Sequence, residues 1–160
     1  MTLELKKFDM RWITFHANEN KGPVIVMIGR RDTGKTFLVR DLLYHHQDIP
    51  IGTVISGTEA GNGFYSKHVP KLFIHDEYNS HLIQNVLRRQ KTVLKQMNKD
   101  VEMYKKSSID PRTFVILDDC LYDQTWTRDK MMRLLFMNGR HWKVMLIITM
   151  QYPLGIPPNL

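Results

Sequence analysis

The chain has 160 residues, of which 42% are hydrophobic and 24% charged. That composition fits one globular domain with a real core and excludes a wholly disordered chain or a fibrous repeat. The formal net charge is +7, with 23 lysines and arginines against 16 acids. No run approaches the ~18 apolar residues that cross a bilayer, so no membrane span is expected. Met1 to Arg11 is mixed and charged, without the apolar stretch of a secretory signal. The single cysteine, Cys120, has no partner for an internal disulfide, which points to a reducing compartment.

Residues 1–20 read as an N-terminal extension. Val24 to Ile28 (VIVMI) follows Gly22-Pro23 and predicts a buried strand. Thr36 to His46 carries Phe37, Leu38, Leu42 and Leu43 at helical spacing, and Pro50 closes the segment. Gly52 to Ser56 (GTVIS) predicts the next strand. Residues 58–70, rich in Gly, Asn and Ser, predict a loop, and Lys71 to His75 a short strand. From Asn79 to Lys106 the apolar residues recur every three or four positions, which predicts one long amphipathic helix. Asp110-Pro111 breaks it. Thr113 to Leu117 (TFVIL) reads as a buried strand, Thr127 to Asn138 as a helix stopped by Gly139, and Val144 to Thr149 (VMLIIT) as the last strand. Apolar strands alternating with helices predict an α/β three-layer sandwich around a mainly parallel central sheet. Ligand sites of such sheets lie at the carboxyl ends of the strands.

Gly29-Arg30-Arg31-Asp32-Thr33-Gly34-Lys35-Thr36 matches the phosphate-loop pattern G-x-x-x-x-G-K-[ST] in full, between a strand and a helix. Gly29 and Gly34 let the backbone wrap closely, with N–H groups turned toward phosphate. The helix start adds its positive dipole end. Lys35 is the candidate for the β and γ phosphates of ATP, and the Thr36 hydroxyl for Mg2+. The strand Thr113–Leu117 runs into Asp118-Asp119. Asp118 is the candidate metal acid, and Asp119 the group that orients or deprotonates the attacking water. Gln151, just past the last strand, is placed to sense the γ-phosphate or position water. Arg140, in the turn before that strand, is the candidate arginine finger supplied in trans. Arg31 is the alternative in cis.

Between Val86 and Arg112, eight basic residues face three acids, a window of net +5. A basic face of this kind attracts a phosphate polymer or is simply a solvated helix. The histidines show no metal-ligand spacing. His45-His46 fall at a helix end, where cations suit the dipole. Cys120 reads as a buried structural thiol, and Phe64 and Tyr65 as aromatics on an exposed loop, either stacking on a base or DNA or, more simply, anchoring the loop locally. On these residues alone three activities stay open: an ATPase, a P-loop nucleoside or nucleotide kinase, and a non-catalytic nucleotide-binding module.

Gly29–Thr36, the strand Thr53–Ser56 with Gly57-Thr58-Glu59, Leu117-Asp118-Asp119, Gly139-Arg140-His141 and the segment Ile147 to Pro158 together resemble a known family. It is the poxvirus-type genome-packaging ATPases of nucleocytoplasmic large DNA viruses, in the FtsK/HerA branch of P-loop ATPases. The resemblance covers roughly residues 20–160. It implies a RecA/ASCE-like P-loop NTPase fold and a homo-oligomeric ring that uses ATP and Mg2+. Such a ring drives double-stranded DNA, without reading its sequence, into a preformed capsid. It implies capsid or portal partners and a location in the virion or a cytoplasmic virus factory of the host. By motif match Lys35 and Thr36 bind nucleotide and Mg2+, Asp118 serves the metal, Asp119 takes the catalytic acid position and Gln151 is the sensor. The chain departs from the family in carrying Asp119 where the second acid is often glutamate. Its end at Asn159-Leu160 is expected to cut short a single ATPase domain that usually continues with more strand and helix.

Overall fold

The computed structural model describes residues 8–19, 21–121 and 124–152. Five strands form one sheet: β1 Val24–Ile28, β2 Gly52–Ser56, β3 Ile74–His75, β4 Thr113–Asp118 and β5 Val144–Met150. Their order is β1-β5-β4-β2-β3, and every neighbouring pair is parallel. β4 and β5 are buried along their whole length, which is why they read as unbroken apolar runs rather than alternating ones.

Alternate residues of these strands feed two cores. Val115 and Leu117 of β4 and Leu146 and Ile148 of β5 pack under α3 (Ser80–Tyr104) and α4 (Lys130–Asn138). Phe114, Ile116, Met145 and Ile147 face the other way, onto α1 (Lys35–His45) and the segment that follows β2. Phe15, within the stretch expected as an N-terminal extension, is also buried in this second core.

Several elements differ from the sequence expectation. The inward stripe of α1 is Lys35, Val39, Leu42 and Leu43, while Phe37 and Leu38 are exposed. The helix is short, so a one-residue rotation of the stripe leaves the apolar count almost unchanged. The expected loop 58–70 contains a helical turn, α2 (Glu59–Asn62), and a 3-10 turn at Tyr65–Lys67. Lys71–Phe73 is a 3-10 turn begun at Pro70, so only Ile74 and His75 of the expected third strand pair with β2. The region before α4 is likewise a 3-10 turn at Gln124–Arg128. The helix itself starts where the Asp129 carboxylate accepts from Met131 N at 2.7 Å. Gly139 does not stop the chain in a left-handed conformation. Its φ is −53°, the backbone continues as a 3-10 turn to Trp142, and Lys143 takes the left-handed position with φ 58°.

The long helix α3 has 25 residues and is capped by the Asn79 side chain on His81 N. Gln90, fully buried, pins it to the amino end of the sheet by donating to the carbonyls of Pro111 and Trp142 at 2.7 and 2.8 Å. Beyond Gln90 the helix carries exposed Lys91, Lys95 and Lys99. Arg112 does not belong to this basic face. It is buried, paired with Asp110 and Asp48, and bonded to the Phe15 carbonyl.

Candidate active site

β1 delivers the chain to Gly29 at the carboxyl edge of the sheet. Gly29 N donates to Met150 O at 3.1 Å, which ties the loop's first residue to the end of β5. A Cβ on Gly29 would stand 2.7 Å from Thr33 Oγ1, and that hydroxyl donates to Arg30 O at 2.8 Å. Asp32 (φ 59°) and Gly34 (φ 87°) are both left-handed. Backbones of this kind turn successive N–H groups into a concave anion site at the start of a helix. Lys35 lies on the buried side of α1, and its Nζ donates to the carbonyls of Gly29 and Arg30 at 2.8 and 3.0 Å. The ammonium thus spans its own loop, held by neutral oxygens that phosphate oxygens would outbid electrostatically. Thr36 follows on the first turn of α1, half-buried, and Arg30 and Arg31 are exposed on the loop.

Asp118 ends β4, is buried, and lies in register with Ser56 of β2 and Thr149 of β5. Thr149 Oγ1 donates to Asp118 Oδ1 at 2.5 Å. Asp119 turns out of the sheet with φ 47°, and its N–H donates to Thr149 Oγ1 at 3.1 Å. Gln151 Nε2 donates to Asp119 Oδ2 at 3.3 Å. The three residues expected to act on metal, water and γ-phosphate therefore meet at one strand edge.

Arg140 does not join them. It is exposed in the turn before β5, and its carbonyl accepts from Gly22 N at 2.9 Å, at the amino end of the sheet. The seven residues of β5 separate that turn from Gln151, roughly 20 Å at ~3.3 Å per residue. The Pro153–Pro158 part of the segment Ile147 to Pro158 lies outside the described residues.

Thr149, Glu59 and Tyr65 escaped the sequence reading as site residues. Tyr65 is buried, 1% exposed, and not an exposed-loop aromatic; Phe64 is half-buried against its ring edge. The expectation of a local anchor holds for both. The Glu59 carboxylate brackets their turn, accepting from Tyr65 N and Ser66 N at 2.8 Å each. The Tyr65 hydroxyl has no hydrogen-bond partner among the described residues. It lies beside Asp118 without reaching the geometry of a closed hydrogen bond. Burial first, then the charge and the hydrogen-bonding pull of Asp118, pushes its pKa well above the usual phenol value. A signal for Thr149 was present, as the one polar residue in an otherwise apolar strand, in register with an acid.

The donors here suit Mg2+. Asp118 and Thr36 offer hard oxygen ligands, and the orphaned Tyr65 hydroxyl leaves a buried polar group for a hydrated cation to satisfy. Among the described residues no cluster of three His, Cys, Asp or Glu could hold a metal unaided, so phosphate and water would complete the shell. Cys120, next in the chain, is buried, and burial pushes its thiol up to about 12.

A glycine loop closing on a buried lysine, beside an acid-tipped central strand of an all-parallel sheet, defines the fold of the P-loop ATPases. The conjugation coupling protein TcpA of pCW3, solved with ATPγS, shares this fold over 84% of the chain and 44% of its own. Its TM-score is 0.59 and its identity 18%. The cytoplasmic domain of the Type VII secretion ATPase EccC of Thermomonospora curvata aligns over 86% of the chain and 19% of its own, with a TM-score of 0.51 and 18% identity. The sequence pattern of the Poxvirus A32 protein family matches residues 15–159, and the chain belongs to that family. The uncharacterized protein L437 of Acanthamoeba polyphaga mimivirus is 38% identical over 159 residues, 98% of this chain and 53% of that protein. The uncharacterized protein 075L of Invertebrate iridescent virus 6 is 39% identical over 160 residues, 98% of this chain and 58% of that protein. The chain thus spans little more than half the length of these viral relatives.

Proposed function

We propose that the chain is an ATP-hydrolysing motor that moves double-stranded viral DNA into a preformed capsid. The observation that carries this reading is the row Asp118–Thr149–Asp119–Gln151, bonded together beside the phosphate loop. The loop amides and Lys35 hold the triphosphate, and Thr36 and Asp118 hold Mg2+. Bound Mg2+ neutralises charge that develops on the phosphate oxygens. Asp119 takes a proton from the attacking water, and Gln151, bonded to that carboxylate, fixes the water's direction. Phosphoryl transfer depends mostly on such positioning and charge stabilisation, so little else is required of the protein.

Arg140 supports a ring. Being at the far end of the sheet from its own loop, it serves as a finger only toward a neighbouring subunit, and Arg31 remains the residue to serve in cis. Phe37, Leu38 and Tyr44 form an apolar strip on the outside of α1, 59%, 43% and 70% exposed, suited to cover by that neighbour. Lys91, Lys95 and Lys99 recur every fourth residue, a rise of ~6 Å per step, on the projecting part of α3. Such a ladder suits contact with a phosphate backbone without base readout. Membership in a family with viral relatives supports action in the virion or a cytoplasmic virus factory.

The test is the ATPase rate of the purified protein with and without long double-stranded DNA, at two salt concentrations, for the wild type and Lys35→Ala. A rate stimulated by DNA, weakened by salt and abolished in Lys35→Ala supports the motor. ATP binding without turnover would favour a non-catalytic module, and phosphate transfer to a small acceptor a kinase.

A further inference from the structure

The Tyr65 hydroxyl is the buried group that the site as described leaves without use. The ring is buried in the core that residues of α1, β2, β4 and β5 share, while Asp118, Glu59 and Asp119 are the charged groups that act on the hydroxyl. The Glu59 carboxylate is already engaged by the two backbone N–H groups of the turn that carries Tyr65. Asp119 is engaged by Gln151. Asp118, held on one oxygen by Thr149, is the remaining acceptor. A buried hydroxyl without a partner is costly, and phenylalanine would fill the same space without that cost. The hydroxyl's use therefore lies in a state in which a partner comes within reach. A phenol hydroxyl carries one proton and an ionised carboxylate none, so toward Asp118 the hydroxyl is the donor.

We infer that Tyr65 is a positioning residue for the cation site, donating to the Asp118 carboxylate, or to a water that it holds, when Mg2+ and nucleotide are bound. This rests on the reading of Asp118 as the metal acid. It makes the turn after β2, clamped by Glu59, part of the Mg2+ site, although no residue of that turn belongs to the phosphate-loop or acid motifs. Tyr65 acts on the metal's grip through Asp118 and takes no part in the proton transfer at Asp119.

The experiment measures binding of a fluorescent, non-hydrolysable ATP analogue to wild type and Tyr65→Phe as Mg2+ is titrated, with thermal melting alongside. The expected result is unchanged analogue affinity in EDTA, melting equal to or above wild type, and a half-saturating Mg2+ concentration raised about tenfold, the scale of a hydrogen bond to a charged group. A Mg2+ midpoint within twofold of wild type overturns the inference while leaving the nucleotide site standing. A wild type that binds no analogue overturns the nucleotide site and this inference with it. If Tyr65→Phe melts lower, Glu59→Gln, which loosens the turn but keeps the hydroxyl, separates the causes. A Mg2+ midpoint near wild type in Glu59→Gln at equal loss of melting supports the hydroxyl's role. An equal rise in both variants overturns it.

Discussion

Thr149 Oγ1 donates to Asp118 Oδ1 at 2.5 Å while accepting from Asp119 N at 3.1 Å. One hydroxyl on β5 therefore fixes two consecutive acids that end β4, the first through its side chain and the second through its backbone. The bond to Asp118 leaves the carboxylate a single orientation, and the bond to Asp119 supports the left-handed turn that swings this residue toward Gln151. Thr149→Val keeps the shape and removes both bonds. It is expected to lower ATP turnover at least tenfold and to cost about 1–3 kcal/mol of stability, because the buried carboxylate loses its donor. Analogue affinity in EDTA should hold, and Thr149→Ser should restore most of the rate. A valine variant with wild-type turnover would remove Thr149 from the site.

Gly52 lies in register with Phe114 across β2 and β4, and a Cβ there would fall 2.0 Å from the ring. Gly52→Ala is expected to destabilise by about 1–3 kcal/mol through overpacking. Phe114→Leu should recover part of that loss in the double variant. Urea unfolding of the four proteins in the cycle checks the coupling.

Acid should weaken the fold in two separate steps. Burial holds the His46 imidazole below its ordinary 6.5, and its Nε2 donates to Ile13 O at 2.9 Å. For Asp110 burial works in the opposite direction, but its bonds from the Arg112 side chain and backbone outweigh it and hold the carboxyl below 3.8. In both cases the unfolded chain binds more protons than the folded one, so stability rises with pH through each window. His46 contributes fully above about 6.5 and loses that contribution as pH falls through its lowered value. Asp110 contributes fully above 3.8 and loses its contribution on further acidification. Melting temperature against pH should show both steps, and His46→Gln should erase the upper one only.

Cys120 should resist alkylation. It is 5% exposed and its thiol is pushed up to about 12, by burial first and by Asp118 second, so almost no thiolate exists at pH 8. Mass spectrometry after iodoacetamide is expected to find no adduct until urea unfolds the chain.

Arg140→Ala should leave nucleotide binding of the isolated subunit intact, because the residue lies at the opposite end of the sheet from its own loop. In mixtures with wild type, DNA-stimulated hydrolysis should fall faster than the wild-type fraction. A strictly proportional fall would show that no subunit lends the residue to another.

The strands were the most legible part of the fold. VIVMI and GTVIS mark β1 and β2 to the residue, because short apolar runs between turn formers read as strands. The expected burial of β1 does not hold, since it lies at the sheet edge with Val24 and Ile28 exposed. The meeting of Asp118, Asp119 and Gln151 was legible too, since a parallel sheet gathers its strand ends on one edge. What stayed hidden depends on partners remote in sequence. Nothing near Thr149 announces a bond to a residue 31 positions earlier. Tyr65 comes just after Gly61-Asn62-Gly63, which look like open loop, yet Glu59 folds that stretch inward. Arg112 looked like one more cation of a basic run, and only the path of residues 8–19 over the sheet reveals its buried role.

β1 is the outermost strand, with β5 as its one ladder neighbour among the described residues. The glycine loop therefore leans sideways on β5 alone, through the bond from Gly29 N to Met150 O. That one strand has Gln151 just past its carboxyl end and the turn of Arg140 just before its amino end, so a substitution that loosens β5 is expected to disturb both tips together.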